Sequence, residues 1–154
     1  MATLKMERRF AATQGQVFDF VTKPENLLRW WGPQGTRIED HHLDFSRTGD
    51  WFATMISPSG QAHKVGGVVR MVTPPQMIEL TLCFIDADGT RGPESVIRFD
   101  VQAQGGEGAV LHLTQTGLDP EHIADMRDKG WASALDRLQH LITDAKTPEG
   151  DENG

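Results

Sequence analysis

Apolar and polar positions change period along the chain, and each change marks a new kind of element. Residues 4–12 alternate loosely, with Leu4, Met6 and Phe10 set against Lys5, Glu7 and Arg9, which predicts a first strand. Thr13-Gln14-Gly15-Gln16 then has the form of a capping box, with Thr13 as N-cap and Gln16 reaching back from the third helical position. The helix it opens carries Val17, Phe18, Phe20 and Val21, enough to bury one face. Pro24 restarts a second helix, because a first-turn residue needs no amide partner. That helix runs through Leu27, Leu28, Trp30 and Trp31 and stops at Gly32-Pro33. Both helices are short and marginal alone, so they must pack on something larger.

From residue 36 to residue 116 the punctuation takes strand spacing. Strands are predicted over 36–43, 50–57, 62–73, 76–86, 94–102 and 109–116. Their separators are turn-like: Ser57-Pro58-Ser59-Gly60, Pro74-Pro75, Asp86-Ala87-Asp88-Gly89 and Gly105-Gly106-Glu107-Gly108. Connections this short imply antiparallel neighbours and hence a meander. Alternation is clearest at Ile78, Leu80, Leu82 and Phe84, at Ile97, Phe99 and Val101, and at Leu111 and Leu113. One face of the sheet is therefore apolar and needs a cover.

The last element supplies it. Asp119-Pro120 is an N-cap followed by a first-turn proline, and Ile123, Met126, Trp131, Leu135, Leu138 and Ile142 form a helical stripe. A helix of about 25 residues is ~37 Å long, enough to cross a sheet. Gly130 in its middle costs ~1 kcal/mol relative to alanine. The expected reason is close backbone approach to a neighbour, which makes Gly130→Leu more damaging than Ala132→Leu. The element order predicts an α+β domain over residues 1–145, in which a curved antiparallel sheet of about seven strands grips a long C-terminal helix. Two short helices follow strand 1. A gap between sheet and helix is the natural place for a pocket, open where those helices cover one end. Residues 146–154 are polar and are expected to form a disordered tail.

Composition narrows the function. Hydrophobic residues make up 38% and charged residues 24% of the 154, as in a soluble globular domain. The formal net charge of -7, with no basic run, argues against nucleic acid and anionic membrane surfaces as partners. No segment is long and apolar enough for membrane insertion, and the start lacks a secretory signal. The single Cys83 rules out a disulfide framework and a multi-thiolate metal site. A cytoplasmic protein is expected.

Motifs of catalysis are sparse. His41-His42 with Asp40 and Asp44 looks like a metal cluster, but adjacent strand residues face opposite sides, and a solvated edge strand accounts for them better. No zinc signature, nucleophile elbow, P-loop or dinucleotide fingerprint is present, so no metal and no cofactor are implied. Cys83 alternates against Leu82 and Phe84 and reads as a structural thiol. What stands out is the aromatic set: four Trp and seven Phe, with no Tyr. It reads either as core filling or as the lining of a cavity for an apolar ligand.

Several short motifs carry a family resemblance. They are Trp30-Trp31-Gly32-Pro33, Thr48-Gly49-Asp50-Trp51, Ser57-Pro58-Ser59-Gly60, Pro74-Pro75-Gln76-Met77-Ile78, and Gly130-Trp131 followed by Leu135, Asp136, Arg137 and Leu138. In this order they resemble the activator of heat-shock protein 90 ATPase homologue family, within the START-like (SRPBCC, Bet v 1-like) superfamily. The resemblance spans roughly residues 3–143. It implies the helix-grip fold and a cavity that holds apolar molecules across the superfamily, and it carries over no catalytic residues. Where the family commonly has two glycines before the strand-opening aromatic, this chain has Thr48-Gly49. Eukaryotic activators resembling this domain have an additional N-terminal domain for the chaperone. Here the fold is expected to begin almost at Met1, so chaperone activation is not expected.

Three readings follow. The first is binding of a small hydrophobic or amphipathic molecule in that cavity. Its lining would come from Trp31 on the lid, Trp51, Met55, Leu80, Leu82, Phe84, Phe99 and Leu111 on the sheet, and Met126, Gly130, Trp131 and Ala134 on the helix. The second is a cyclase- or hydrolase-like enzyme using the same cavity, with Arg98, His63, Asp40 and His42 as candidate polar groups. Parity turns Arg98 and His112 to solvent. The third is a stress-response or co-chaperone-like interaction protein, with a homodimer as one form of it.

Overall fold

The computed structural model describes residues 2–146, apart from Pro33 and Gly106. Seven strands, β1 (Ala2–Phe10), β2 (Arg37–His42), β3 (Gly49–Ile56), β4 (Ala62–Thr73), β5 (Met77–Ile85), β6 (Ser95–Gln104) and β7 (Gly108–Leu118), form one sheet. The order is β1-β7-β6-β5-β4-β3-β2, antiparallel throughout. Strands β2 to β7 make the expected meander, and β1 closes it against β7. Between β1 and β2 lie α1 (Gln14–Thr22) and α2 (Pro24–Trp30). The capping box at α1 forms as read: Gln16 N–H donates to Thr13 Oγ1 at 3.2 Å, and Thr13 N–H donates to Gln16 Oε1 at 2.9 Å.

The terminal helix is segmented rather than uniform. A 3₁₀ turn (Pro120–His122) leads into a single turn α3 (Ile123–Asp125), then a π-helical segment (Met126–Trp131), then α4 (Ala132–Lys146). Of the expected disordered tail, Lys146 closes this helix and residues 147–154 lie outside the described residues. The expected crowding at Gly130 is absent: a Cβ added there would meet only Met126 Sδ, at 3.7 Å. Gly130 sits in the wide turn and borders open space instead of a neighbouring backbone. The close approach lies on β4. A Cβ at Gly67 would overlap the Thr81 carbonyl.

That approach coincides with an interruption of the ladder. Pairing of β4 with β5 runs from Lys64↔Ile85 to Gly66↔Cys83 and resumes at Val69↔Leu80. Between them, Val68 N–H donates to the Thr81 hydroxyl at 2.9 Å, and the Thr81 carbonyl accepts Trp51 Nε1–H at 3.0 Å. A side chain from β3 thus satisfies a carbonyl that β4 leaves free, which keeps a buried acceptor from going unpaired.

The sheet grips the helix across a continuous core from Leu4 to Ile142. Its centre is aromatic. Trp30, Trp31, Trp131 and Phe99 form a closed ring of edge-to-face contacts, with centroids 5.7–6.5 Å apart. Trp31 also meets Phe45 and Trp51, which meet each other at 5.2 Å. Each such pair adds about 0.5–1.5 kcal/mol beyond the area it buries. The inner members of this cluster fill the core, and Trp31 and Trp131 also border a cavity.

Candidate functional site

The cavity lies between the sheet and the terminal helix. Its volume is about 380 Å³, it opens to solvent, and its lining is almost wholly apolar. It occupies the end of the sheet nearest the β3–β4 hairpin and the start of the terminal helix. From the sheet come Met55, Ser57, His63, Val65, Leu82, Phe84 and Gln115. The opposite end, around Ile78, Val101 and Leu111, is fully buried beneath the helices, and Gln14 of α1 donates to the Val101 carbonyl at 2.8 Å. α1 thus covers the filled end of the sheet, while the end of α2 reaches the cavity at Trp31.

Helical geometry places the other wall. Met126, Gly130, Trp131 and Ala134 line the cavity. In a regular α-helix, Trp131 would stand ~100° around the axis from Gly130. Both residues fall in the π-helical segment Met126–Trp131, and both border the cavity. Trp131 is anchored by its indole N–H, which donates to Gln115 Oε1 at 2.8 Å.

Trp31, Gly32 and Thr36 close the cavity from the end of α2. Trp31 is extended, and Gly32 then turns the chain at φ +89°, a conformation that suits glycine. Arg137 on α4 ties this turn down by donating to the carbonyls of Arg29, Trp31, Gly32 and Thr36 at 2.9–3.2 Å. Burial lowers the pKa of its guanidinium. Arg137→Ala removes these bonds, three of them part-buried. We expect it to cost about 2–3 kcal/mol, read as a lower urea midpoint with an unchanged slope.

The structure brings eight of the twelve sequence-predicted pocket residues together around the cavity: Trp31, Met55, Leu82, Phe84, Met126, Gly130, Trp131 and Ala134. Trp51, Leu80, Phe99 and Leu111 are placed in the core instead. Inward parity holds along a whole strand, whereas the cavity spans one end of the sheet. Trp51 is further held by its bond to Thr81, and Phe99 by Trp30 and Trp131. Five lining residues were not assigned to the cavity from sequence, Gly32, Thr36, Ser57, Val65 and Gln115, and a sixth, His63, was named only as a candidate polar group of the enzyme reading. Gln115 had a visible signal, since it continues the inward parity of Leu111 and Leu113 with a polar side chain.

The candidate polar groups are scattered. Arg98 is exposed and pairs with Asp100 at 2.9 Å; this bond and the adjacent charge raise its pKa. Asp40 and His42 are exposed on β2. His112, half-buried, lies 3.6 Å from Glu7. His63 alone of these lines the cavity, at its exposed rim, with no hydrogen-bond or ion-pair partner among the described residues. Cys83 is buried away from the cavity, where Arg91 Nη1 reaches its Sγ at 3.5 Å. Among the described residues no group of three or more His, Cys, Asp or Glu could hold a metal ion, and no helix is long and apolar enough to cross a membrane.

This architecture is found in proteins of known family. The family model for activator of Hsp90 ATPase homolog 1-like proteins matches residues 11–143, nearly the whole described chain. The chain belongs to this family. Within the Hsp90-activator-homologue family it is similar to the AHSA1 protein from Silicibacter pomeroyi, at 37% identity and a TM-score of 0.86. That match covers 92% of this chain and 98% of the other. The fold is shared with a protein from Chromobacterium violaceum (22% identity, TM-score 0.79, covering 91% and 96%). It is also shared with a protein from Mycobacterium smegmatis (19% identity, TM-score 0.77, covering 99% and 93%). A search of curated proteins gives no match. The START-like helix-grip fold expected for the family is the fold of this chain, a curved seven-stranded sheet around its terminal helix.

Proposed function

We propose that the protein binds a small hydrophobic or amphipathic molecule in the cavity between sheet and terminal helix. The observation that carries this reading is the cavity itself, about 380 Å³ of apolar, solvent-connected space. A site of this size and lining suits a small ligand that leaves water for apolar walls. By proportion to a ~150 Å³ cavity that takes one benzene ring, it accommodates about two to three rings. Met55 and Met126 flank the space with flexible, polarisable side chains able to adjust to a guest.

N-phenyl-1-naphthylamine, a neutral three-ring probe whose emission rises in apolar surroundings, tests this reading. The expected result is saturable binding at one site per chain, with energy transfer from the adjacent Trp31 and Trp131. Emission that stays at its aqueous level through protein excess overturns the reading.

A further inference from the structure

The apolar cavity contains a built polar station. Gln115 lines it and is 1% exposed. The orientation of its amide follows from its neighbours. The Trp131 indole can only donate, so the Gln115 atom 2.8 Å from it is the carbonyl oxygen. The amide nitrogen then faces Ser95 and donates to its hydroxyl at 2.9 Å. Ser95 in turn donates to the Leu82 carbonyl at 3.4 Å. The relay Trp131→Gln115→Ser95→Leu82 runs one way and locks the amide in place.

This relay uses half of what the amide offers. One N–H and one carbonyl lone pair of Gln115 have no partner among the described residues. Two more lining groups are in the same condition: the hydroxyl of buried Thr36 and the indole N–H of Trp31, which is 4% exposed. All of these groups are uncharged. The titratable side chain among the described lining residues is His63, out at the rim. An anion carried inward would lose its hydration without meeting a buried counter-ion.

Building on the ligand-binding reading, we infer that Gln115 is the specificity-determining residue of the cavity. It selects an uncharged ligand of two to three rings that carries a carbonyl or hydroxyl oxygen at its inner end. The oxygen accepts the free N–H of Gln115, and a hydroxyl also donates to the free lone pair. A hydrocarbon of the same shape leaves the amide half-satisfied, and a carboxylate is rejected by its charge.

Three probes of equal heavy-atom count separate these cases: 2-acetylnaphthalene, 2-isopropylnaphthalene and 2-naphthoate. Calorimetric affinities for the full chain are corrected for each probe's transfer from water to octanol. The acetyl probe is expected to exceed the isopropyl probe by about fivefold in corrected affinity, the worth of one net hydrogen bond, and to exceed the carboxylate by at least about tenfold in uncorrected affinity, where the anion's lost hydration still counts. In Gln115→Met the acetyl preference disappears while isopropyl binding persists. Should that variant fail to fold, the wild type still decides. The side-chain amide resonances of Gln115 shift on adding the acetyl probe and stay in place with the isopropyl probe. Equal corrected affinities in the wild type, an acetyl preference that survives in folded Gln115→Met, or an unmoved Gln115 amide each overturns the inference alone. If none of the three probes binds, the ligand-binding reading falls and takes the inference with it.

Discussion

Gly67→Ala is expected to lower stability by about 3 kcal/mol or more, the largest loss we predict for adding one methyl group. The added carbon would overlap the carbonyl of Thr81. That carbonyl is backbone, and it is already fixed by the indole of Trp51. It cannot swing aside as the end of a flexible side chain could. Relief requires β4 and β5 to separate, which would break the Val68–Thr81 bond and unseat Trp51 from Phe45 and Trp31. Gly15→Ala is the control, because a Cβ there meets nothing within 4 Å. It lies in the first turn of α1 and should gain up to about 1 kcal/mol. Urea denaturation of both variants provides the comparison. Equal midpoints would mean that β4 does not press on β5 at this point.

Gly130→Phe is expected to do the reverse, sparing the fold and closing the cavity. Glycine is the costliest non-proline residue in a helix, so almost any side chain tolerated there helps the helix by up to ~1 kcal/mol. The space beside Gly130 is open except for Met126 Sδ at 3.7 Å, and the residue borders the cavity. A benzyl group would occupy nearly half of it, by the proportion of ~150 Å³ to one ring. N-phenyl-1-naphthylamine affinity should then fall at least about tenfold, with the thermal midpoint equal to or above that of the wild type. A variant that melts lower and still binds the probe fully would show that Gly130 faces packed protein.

Much of this was legible along the chain, for identifiable reasons. The capping box, the first-turn prolines and the turn residues are local devices, so their elements appear within a residue or two of where the pattern puts them. Parity assigned Ile78, Leu80, Phe99 and Leu111 to the inner face correctly. It could not tell which inner positions touch the helix and which face the gap, because that depends on how sheet and helix meet in three dimensions. The interruption of β4–β5 pairing around Gly67 is a contact between strands, and no local rule places it. The π segment was hidden for a related reason. The segment ends at Trp131, whose partner Gln115 lies sixteen positions back along the chain, and helical periodicity alone predicts an unbroken stripe.

The interaction reading draws little from the sheet edges. The outer strand β2 exposes Arg37, Glu39, Asp40 and His42, and β1 exposes Lys5, Glu7 and Arg9. Charged edges of this kind discourage strand-to-strand pairing with another chain. The apolar surface that does reach solvent includes Phe84, 50% exposed at the cavity mouth. That placement favours a small guest over a broad protein interface.

The central claim is that the guest sits between sheet and helix, and methyl-labelled methionine reports on this directly. Met55 and Met126 line the cavity, whereas Met71 is 48% exposed and does not line it. Nuclear Overhauser contacts between N-phenyl-1-naphthylamine and the methionine methyls of the full chain should therefore appear at Met55 and Met126 and be absent at Met71. Contacts at Met71 with none at Met55 and Met126 would place the guest on the outer surface and contradict the account.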